Sequence, residues 1–176
     1  MPEVVVFAKG WRIYDLSRKS LVRLIQVSDA KYLAGLKRVV LVEASELVAR
    51  ERKRHTSRPG RSLLGSYRAG TSTATASIEL YVDAIFNGRP EWTWRMGFLR
   101  ELFLARVFYH ELGHHIVRSI EPVSGDKELH AERWRKELTR VAFRRRYGVL
   151  VIPARPLARA LRWFSNAKAK QSAKRS

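Results

Sequence analysis

The spacing of hydrophobic positions along the chain predicts three helices and two strands. Apolar residues recur every three to four positions in residues 16–27, 98–117 and 127–146, which is the period of an amphipathic helix. Asp15 precedes the first of these segments and can cap it. The apolar run 39–42 and the alternating segment 76–83 have the pattern of β-strands.

Two further regions lack a strong period. Residues 50–61 are charged and contain Pro59 and Gly60, so we expect an exposed loop there. After Gly148, residues 149–152 could form a strand or a packing segment, and residues 157–164 a short basic amphipathic helix. Residues 165–176 have the composition of a disordered tail.

This order of elements predicts one α+β domain over residues 1–148 and a basic C-terminal extension over residues 149–176, disordered from about residue 165. In the domain, a small twisted sheet containing residues 39–42 and 78–82 would pack on the helix of residues 98–117 and on its neighbour. The chain has 176 residues and 45% hydrophobic content, which is enough for a sizeable core.

Composition restricts the chemistry that is available. The chain has no cysteine, so it can form neither a disulfide nor a thiolate metal site nor a cysteine nucleophile. The apolar run 4–8 is too short for a signal peptide, and charged residues interrupt every longer hydrophobic segment. We therefore expect a cytoplasmic protein whose metal sites, if any, use histidines and carboxylates.

The segment His110-Glu111-Leu112-Gly113-His114 matches the pattern H-E-x-x-H inside the best predicted helix. Residues four apart share one helix face, so His110 and His114 can direct ring nitrogens at one ion. A catalytic zinc has three protein ligands and a water whose pKa it lowers to about 7. Glu111 would lie beside the metal and accept the proton of that water as general base.

The run 108–116 resembles the active-site helix of zincin metallopeptidases, in which His-Glu-Leu-Gly-His recurs. In the metzincin branch, Gly and a third His follow the second His at plus three and plus six; Val117 and Ile120 occupy these positions here, which excludes that branch. In the gluzincin-like branch the third ligand is a Glu in the motif E-x-x-A-[DE]. Residues 128–132, Glu-Leu-His-Ala-Glu, match this motif.

This resemblance implies a zincin-like fold that binds one Zn²⁺ per chain through His110, His114 and Glu128, with Glu132 orienting a ligating histidine. The residues alone leave the third ligand open, because Glu128 and His130 both lie at the margins of the apolar face of their helix. Zincins of DNA–protein crosslink repair use a third His, often with an aromatic residue four positions later, as Trp134 is after His130. Those proteins usually have Gly where this chain has Ala131. Glu132 and Asp126 are further alternatives.

Zincins also pair an extended substrate with an edge strand of the sheet, for which residues 78–82 are the candidate here. The same alternation fits a half-buried strand without that role. His115 cannot share the face of His110 and His114, so we expect it at the surface or in contact with a ligand. Tyr109, Tyr147 and His130 could each stabilise an oxyanion, and their spacing favours none of them.

The formal net charge is +19. From residue 133 to 176, fourteen Lys or Arg accompany Glu137 alone, a net charge of +13. This segment could attract nucleic acid or an anionic membrane surface, or simply be solvated. The sequence thus supports three hypotheses: a zinc peptidase acting on a peptide or protein, a nucleic-acid-associated protease or regulator, and a non-catalytic binding protein. It does not indicate an oligomeric state.

Overall fold

The computed structural model describes residues 1–7, 12–44, 64–72 and 74–148. The chain divides into two compact units, Met1–Ala142 and Phe143–Ser176. In the second unit the described part covers only residues 143–148. The predicted loop at residues 50–61 and the predicted elements at 149–152, 157–164 and 165–176 lie outside the described residues. The predicted domain boundary at residue 148 therefore stays a prediction.

The first unit is an α+β structure with a four-stranded mixed sheet. The strands are β1 (Glu3–Val6), β2 (Leu36–Val42), β3 (Gly65–Arg68) and β4 (Ala76–Tyr81). Their order across the sheet is β1-β2-β4-β3, with β3 antiparallel to β4 and the other neighbours parallel. Two of these strands, β1 and β3, were not predicted from the sequence.

Five α-helices complete the described chain: α1 (Arg12–Val27), α2 (Val82–Phe86), α3 (Glu91–Arg95), α4 (Gly97–His115) and α5 (Lys127–Tyr147). A 3₁₀ turn at Ala30–Leu33 precedes β2, and a π-helical segment at Ile116–Ile120 continues α4. Among the described residues, no helix is long and apolar enough to cross a membrane.

Three local predictions need correction. Strand β4 ends at Tyr81, because Val82 and Asp83 already belong to α2. Asp15 lies in the first turn of α1 rather than capping it, since that helix begins at Arg12. The segment predicted as an edge strand is internal, because β4 is hydrogen-bonded to β2 on one side and β3 on the other. The outermost strand on that side of the described sheet is β3.

The core lies between the sheet and helices α1 and α4. The fully buried side chains Leu21, Leu24, Ile78 and Leu104 come from both layers. Polar bonds also join the two helices, including an ion pair between Arg23 and the buried Glu101 with an N–O distance of 2.7 Å. Contacts with the sheet and with α1 thus hold α4 in place. The face of α4 that does not pack on the core therefore has a fixed position.

Candidate metal centre

Helix α4 presents two histidines on the face that points away from the core. His110 and His114 are half-buried, and their ring centroids are 4.9 Å apart. On the opposite face Phe108 and Leu112 are fully buried. The helical period therefore separates an apolar side that packs from a polar side that lines a cleft.

Glu128 reaches both histidines from the first turn of α5. Its carboxylate oxygens lie 3.2 Å from His110 Nε2 and 3.4 Å from His114 Nε2. One potential ligand atom from each of the three residues lies within 4.8 Å of the others. The structure thus brings together two imidazoles and a carboxylate from two helices that are joined by an irregular turn.

The close crossing of α4 and α5 determines where Glu128 lies. A Cβ added at Gly113 would lie 2.7 Å from the backbone oxygen of Ala131 and 2.9 Å from its Cα. No residue larger than glycine fits there without moving a helix. Glu128 precedes Ala131 by three residues, so the contact turns its face of α5 toward the histidines.

This cluster has suitable donors and spacing for a divalent transition metal. Tetrahedral coordination with bonds of roughly 2.0–2.1 Å separates neighbouring ligand atoms by roughly 3.3 Å. One Glu128 oxygen lies at about this distance from each ring, and the ligand atoms of the three residues all lie within 4.8 Å of one another. Imidazole and carboxylate ligands suit zinc and also other first-row metals. The residues present therefore fit a metal ion without specifying zinc.

Glu132 lies on the other side of the His110 ring. Its Oε2 is 3.7 Å from His110 Nδ1, which is beyond hydrogen-bonding distance. Arg135 donates two hydrogen bonds to the same carboxylate, and this pairing lowers the pKa of Glu132. A negative charge is thus held near Nδ1, where a small movement would let it orient the ring.

The other proposed ligands are not part of this cluster. His130 follows Glu128 by two residues, so it lies on a different face of α5, and it is not among the clustered metal-binding residues of the described chain. Asp126 accepts hydrogen bonds from the backbone N–H groups of Glu128 and Leu129 at the start of α5. Asp126 therefore acts as an N-cap.

Glu111 is buried beside the cluster, with 8% of its surface exposed. Burial raises the pKa of Glu111 to about 8, and the nearby Glu128 charge adds to this effect. A hydrogen bond from the backbone of Tyr67 acts in the opposite direction. A cation held by the cluster would likewise favour the ionised carboxylate.

His114 is also affected by its surroundings. Burial lowers its pKa, and the neighbouring His110 lowers it further, although Glu128 acts in the opposite direction. A neutral imidazole has a free lone pair, which is the form that can bind a metal. The site therefore favours the protonation state that ligation needs.

His115 is fully buried, which corrects the expectation that it could be at the surface. Its Nε2 is 2.8 Å from the carbonyl oxygen of Ala34, and its Nδ1 is 3.1 Å from the hydroxyl of Tyr67. A carbonyl only accepts, so Nε2 carries the proton and Nδ1 accepts from Tyr67. Burial lowers the pKa of His115, in keeping with a neutral ring. The ring thus ties α4 to β3.

We expect replacement of His115 by Phe to destabilise the protein by about 1–3 kcal/mol, because the Ala34 carbonyl loses the ring N–H and the Tyr67 hydroxyl keeps only Ser119. Urea unfolding of His115→Phe, Tyr67→Phe and the double variant measures this effect. The two single losses should not be additive, since both remove the same hydrogen bond. Strictly additive losses would contradict the bond between Tyr67 and His115.

A cleft of about 1400 Å³ contains the cluster. Helix α4 contributes its histidine face, β3 contributes Gly65 and Tyr67, and α5 contributes Glu128 and its neighbours. Tyr67 was missed in the sequence because the four-residue strand β3 has no clear alternation. Tyr109, a candidate oxyanion stabiliser, lies in the core instead, where its hydroxyl donates to the carbonyl of Leu24.

Comparison of the chain with protein-family models, with curated proteins and with solved structures gives no match. Any functional conclusion therefore depends on the cleft and its residues.

Proposed function

We propose that this protein is a metal-dependent peptide hydrolase of the zincin type, with one Zn²⁺ per chain bound by His110, His114 and Glu128. One observation carries the proposal: the Glu128 carboxylate lies 3.2 and 3.4 Å from the two Nε2 atoms, with the buried Glu111 beside them in one cleft. Two imidazoles and one carboxylate are a ligand set of catalytic zinc sites.

A zinc ion bound by these residues would supply an activated water and polarise the carbonyl of the scissile bond. Glu111 accepts the proton of the attacking water on a carboxylate oxygen and then donates it to the leaving amine. The backbone of Tyr67 hydrogen-bonds to Glu111 and limits the directions in which this carboxylate can point. Burial of Glu111 also excludes bulk water that would compete for its proton.

Strand β3, the outermost of the described strands on its side of the sheet, is the surface that would align a substrate. It lines the cleft together with α4, and a Cβ at Gly65 would meet Val107 at 2.7 Å and Glu111 at 3.1 Å. An extended peptide can add to such a strand through backbone hydrogen bonds, which are largely independent of sequence. This arrangement supports a polypeptide substrate over a small molecule.

Metal content tests the ligand set directly. Protein purified without an affinity tag or added metal should contain one zinc per chain by mass spectrometry. Glu128→Ala should lose it, because two histidines alone do not complete the three-ligand site. His130→Ala is the matched control and should retain the metal, since His130 lies on another face of α5.

Three outcomes would redirect the proposal. Loss of zinc in His130→Ala alone would favour the His-ligand alternative of crosslink-repair zincins. A wild-type protein that binds no metal even in excess zinc would exclude metal-dependent hydrolysis and leave a binding protein. A zinc-loaded protein that cleaves no member of a random peptide library would exclude peptide hydrolysis while retaining the metal site.

A further inference from the structure

Two arginines flank the histidine pair along α4. Arg106 precedes His110 by four residues, and Arg118 follows His114 by four. Each arginine therefore lies about one helical turn from a histidine, and both line the cleft although Arg118 belongs to the π-helical segment. Both side chains are exposed. The candidate metal centre thus has a positive charge on each side.

Strand β3 runs beside α4 in the same direction. Its start at Gly65 lies against Val107 and Glu111, while the Tyr67 hydroxyl lies 3.1 Å from His115 Nδ1 and 3.2 Å from the hydroxyl of Ser119. Gly65 and the Tyr67 side chain therefore meet the helix about two turns apart, in the same order along both elements. A chain extended along β3 passes first one arginine and then the other.

The distance between the arginines suits a short stretch of extended peptide. The twelve residues from Arg106 to Arg118 rise by roughly 18 Å at about 1.5 Å each. A strand rises about 3.3 Å per residue, so roughly five to six residues cover that distance. With the metal centre midway, each arginine lies about two to three peptide residues from the scissile bond.

These two arginines are available to a ligand. Neither Arg106 nor Arg118 belongs to the salt bridges found among the described residues. The acidic residues of the cleft that do not belong to the metal centre have other partners: Asp126 caps α5, and Glu132 pairs with Arg135. Arg89 adds a third positive charge to the cleft, and its guanidinium carbon lies 4.0 Å from the centre of the Phe103 ring.

We propose that the cleft selects acidic peptides, with Arg106 and Arg118 each contacting a carboxylate about two to three residues from the scissile bond. This inference rests on the proposed hydrolase function for the position of that bond. Acidic side chains complement both ends of the cleft, whereas basic peptides meet like charges there. The two arginines thereby determine specificity without taking part in the chemical step.

Peptide binding to zinc-loaded Glu111→Gln protein tests this inference separately from hydrolysis. The probes are two fluorescein-labelled peptides that differ only at the third residue on either side of the centre. The Glu peptide has Glu at both positions, and the Gln peptide has Gln. Fluorescence anisotropy should show about tenfold tighter binding of the Glu peptide at low salt, as expected for two partly exposed ion pairs. The preference should disappear when Arg106→Gln and Arg118→Gln are added.

The matched control adds Arg18→Gln and Lys19→Gln, which remove the same charge from exposed positions of α1 outside the cleft. This control should retain the preference for the Glu peptide. Equal losses in both variants would show an effect of net charge alone and overturn the inference. Displacement of the Glu peptide by duplex DNA, dependent on Arg106 and Arg118, would overturn it in favour of nucleic acid.

Cleavage of the same two peptides by the zinc-loaded wild-type protein separates the two proposals. Equal cleavage of the Glu and Gln peptides would overturn the acidic preference and leave the hydrolase proposal intact. A strong, cleft-dependent binding preference without any cleavage would support acidic recognition while contradicting hydrolysis. Preferential cleavage of the Glu peptide, lost with the two arginines, would support both.

Discussion

Replacement of Glu111 by Gln should lower kcat for peptide hydrolysis roughly 100- to 10,000-fold, the usual contribution of a general base. The amide has nearly the shape of the carboxylate, but it cannot accept the proton of the attacking water. Its position in the buried space beside β3 should be preserved, since Glu111 touches Gly65 and the Tyr67 backbone. Steady-state hydrolysis of a fluorogenic peptide, together with metal content, measures the effect.

Metal content distinguishes loss of the base from loss of the site. Glu111→Gln should retain one zinc per chain, because the proposed ligands are His110, His114 and Glu128. The matched control is Glu137→Gln, an exposed carboxylate of α5 that pairs with Arg140; it should leave kcat unchanged. An unchanged kcat in Glu111→Gln would eliminate Glu111 as the base, even if the metal proved essential.

Replacement of Gly113 by Ala should destabilise the protein by about 1–3 kcal/mol, as overpacking does in tight cores. Alanine normally favours a helix over glycine by about 1 kcal/mol, so steric overlap opposes an intrinsic gain. Overlap should dominate, because the new Cβ would meet backbone atoms of Ala131 at 2.7–3.1 Å, and these can move only with the whole helix. Urea unfolding measures the change.

Movement of α5 should also weaken metal binding. Glu128 lies on that helix, so we expect metal affinity in Gly113→Ala to fall roughly 10- to 100-fold, the usual effect of disturbing the support of a metal ligand. Competition with a chromogenic chelator measures the affinity. The matched control is Gly97→Ala at the start of α4, where an added Cβ would make ordinary van der Waals contact with an Arg100 nitrogen at 3.7 Å. Wild-type stability and affinity in Gly113→Ala would contradict the role of this crossing.

Local features of the sequence determined the helix that carries the histidine pair. Two local features matter: the period of the apolar residues and the spacing of His110, Glu111 and His114. Both extend over one or two turns, and over that length the helical geometry gives the relative positions of the side chains directly. The structure accordingly has α4 at Gly97–His115, close to the predicted 98–117. The second long helix was predicted for the same reason, and its start at Lys127 agrees with the structure.

Strand pairing could not be obtained in this way. Strand β3 has four residues and starts at a glycine, so its pattern is weaker than that of β4. The alternation in β4 showed that the strand is packed but not which strands flank it, because pairing depends on contacts distant in sequence. The edge was therefore assigned to the wrong strand.

Tertiary packing alone decided which residue meets the two histidines. On sequence, Glu128 and His130 both lay at the margins of the apolar face of their helix, so the helical period did not show which of them faces α4. The contact between Gly113 and Ala131 sets the distance between α4 and α5 and the rotation of α5 about its own axis. Glu128 is thereby brought to the histidines. The sequence by itself thus determined the helix and the positions of His110, Glu111 and His114 along it. The close packing of the α4 and α5 backbones determined which residue of α5 meets the histidines, because the rotation of a helix about its own axis depends on the contacts that the helix makes.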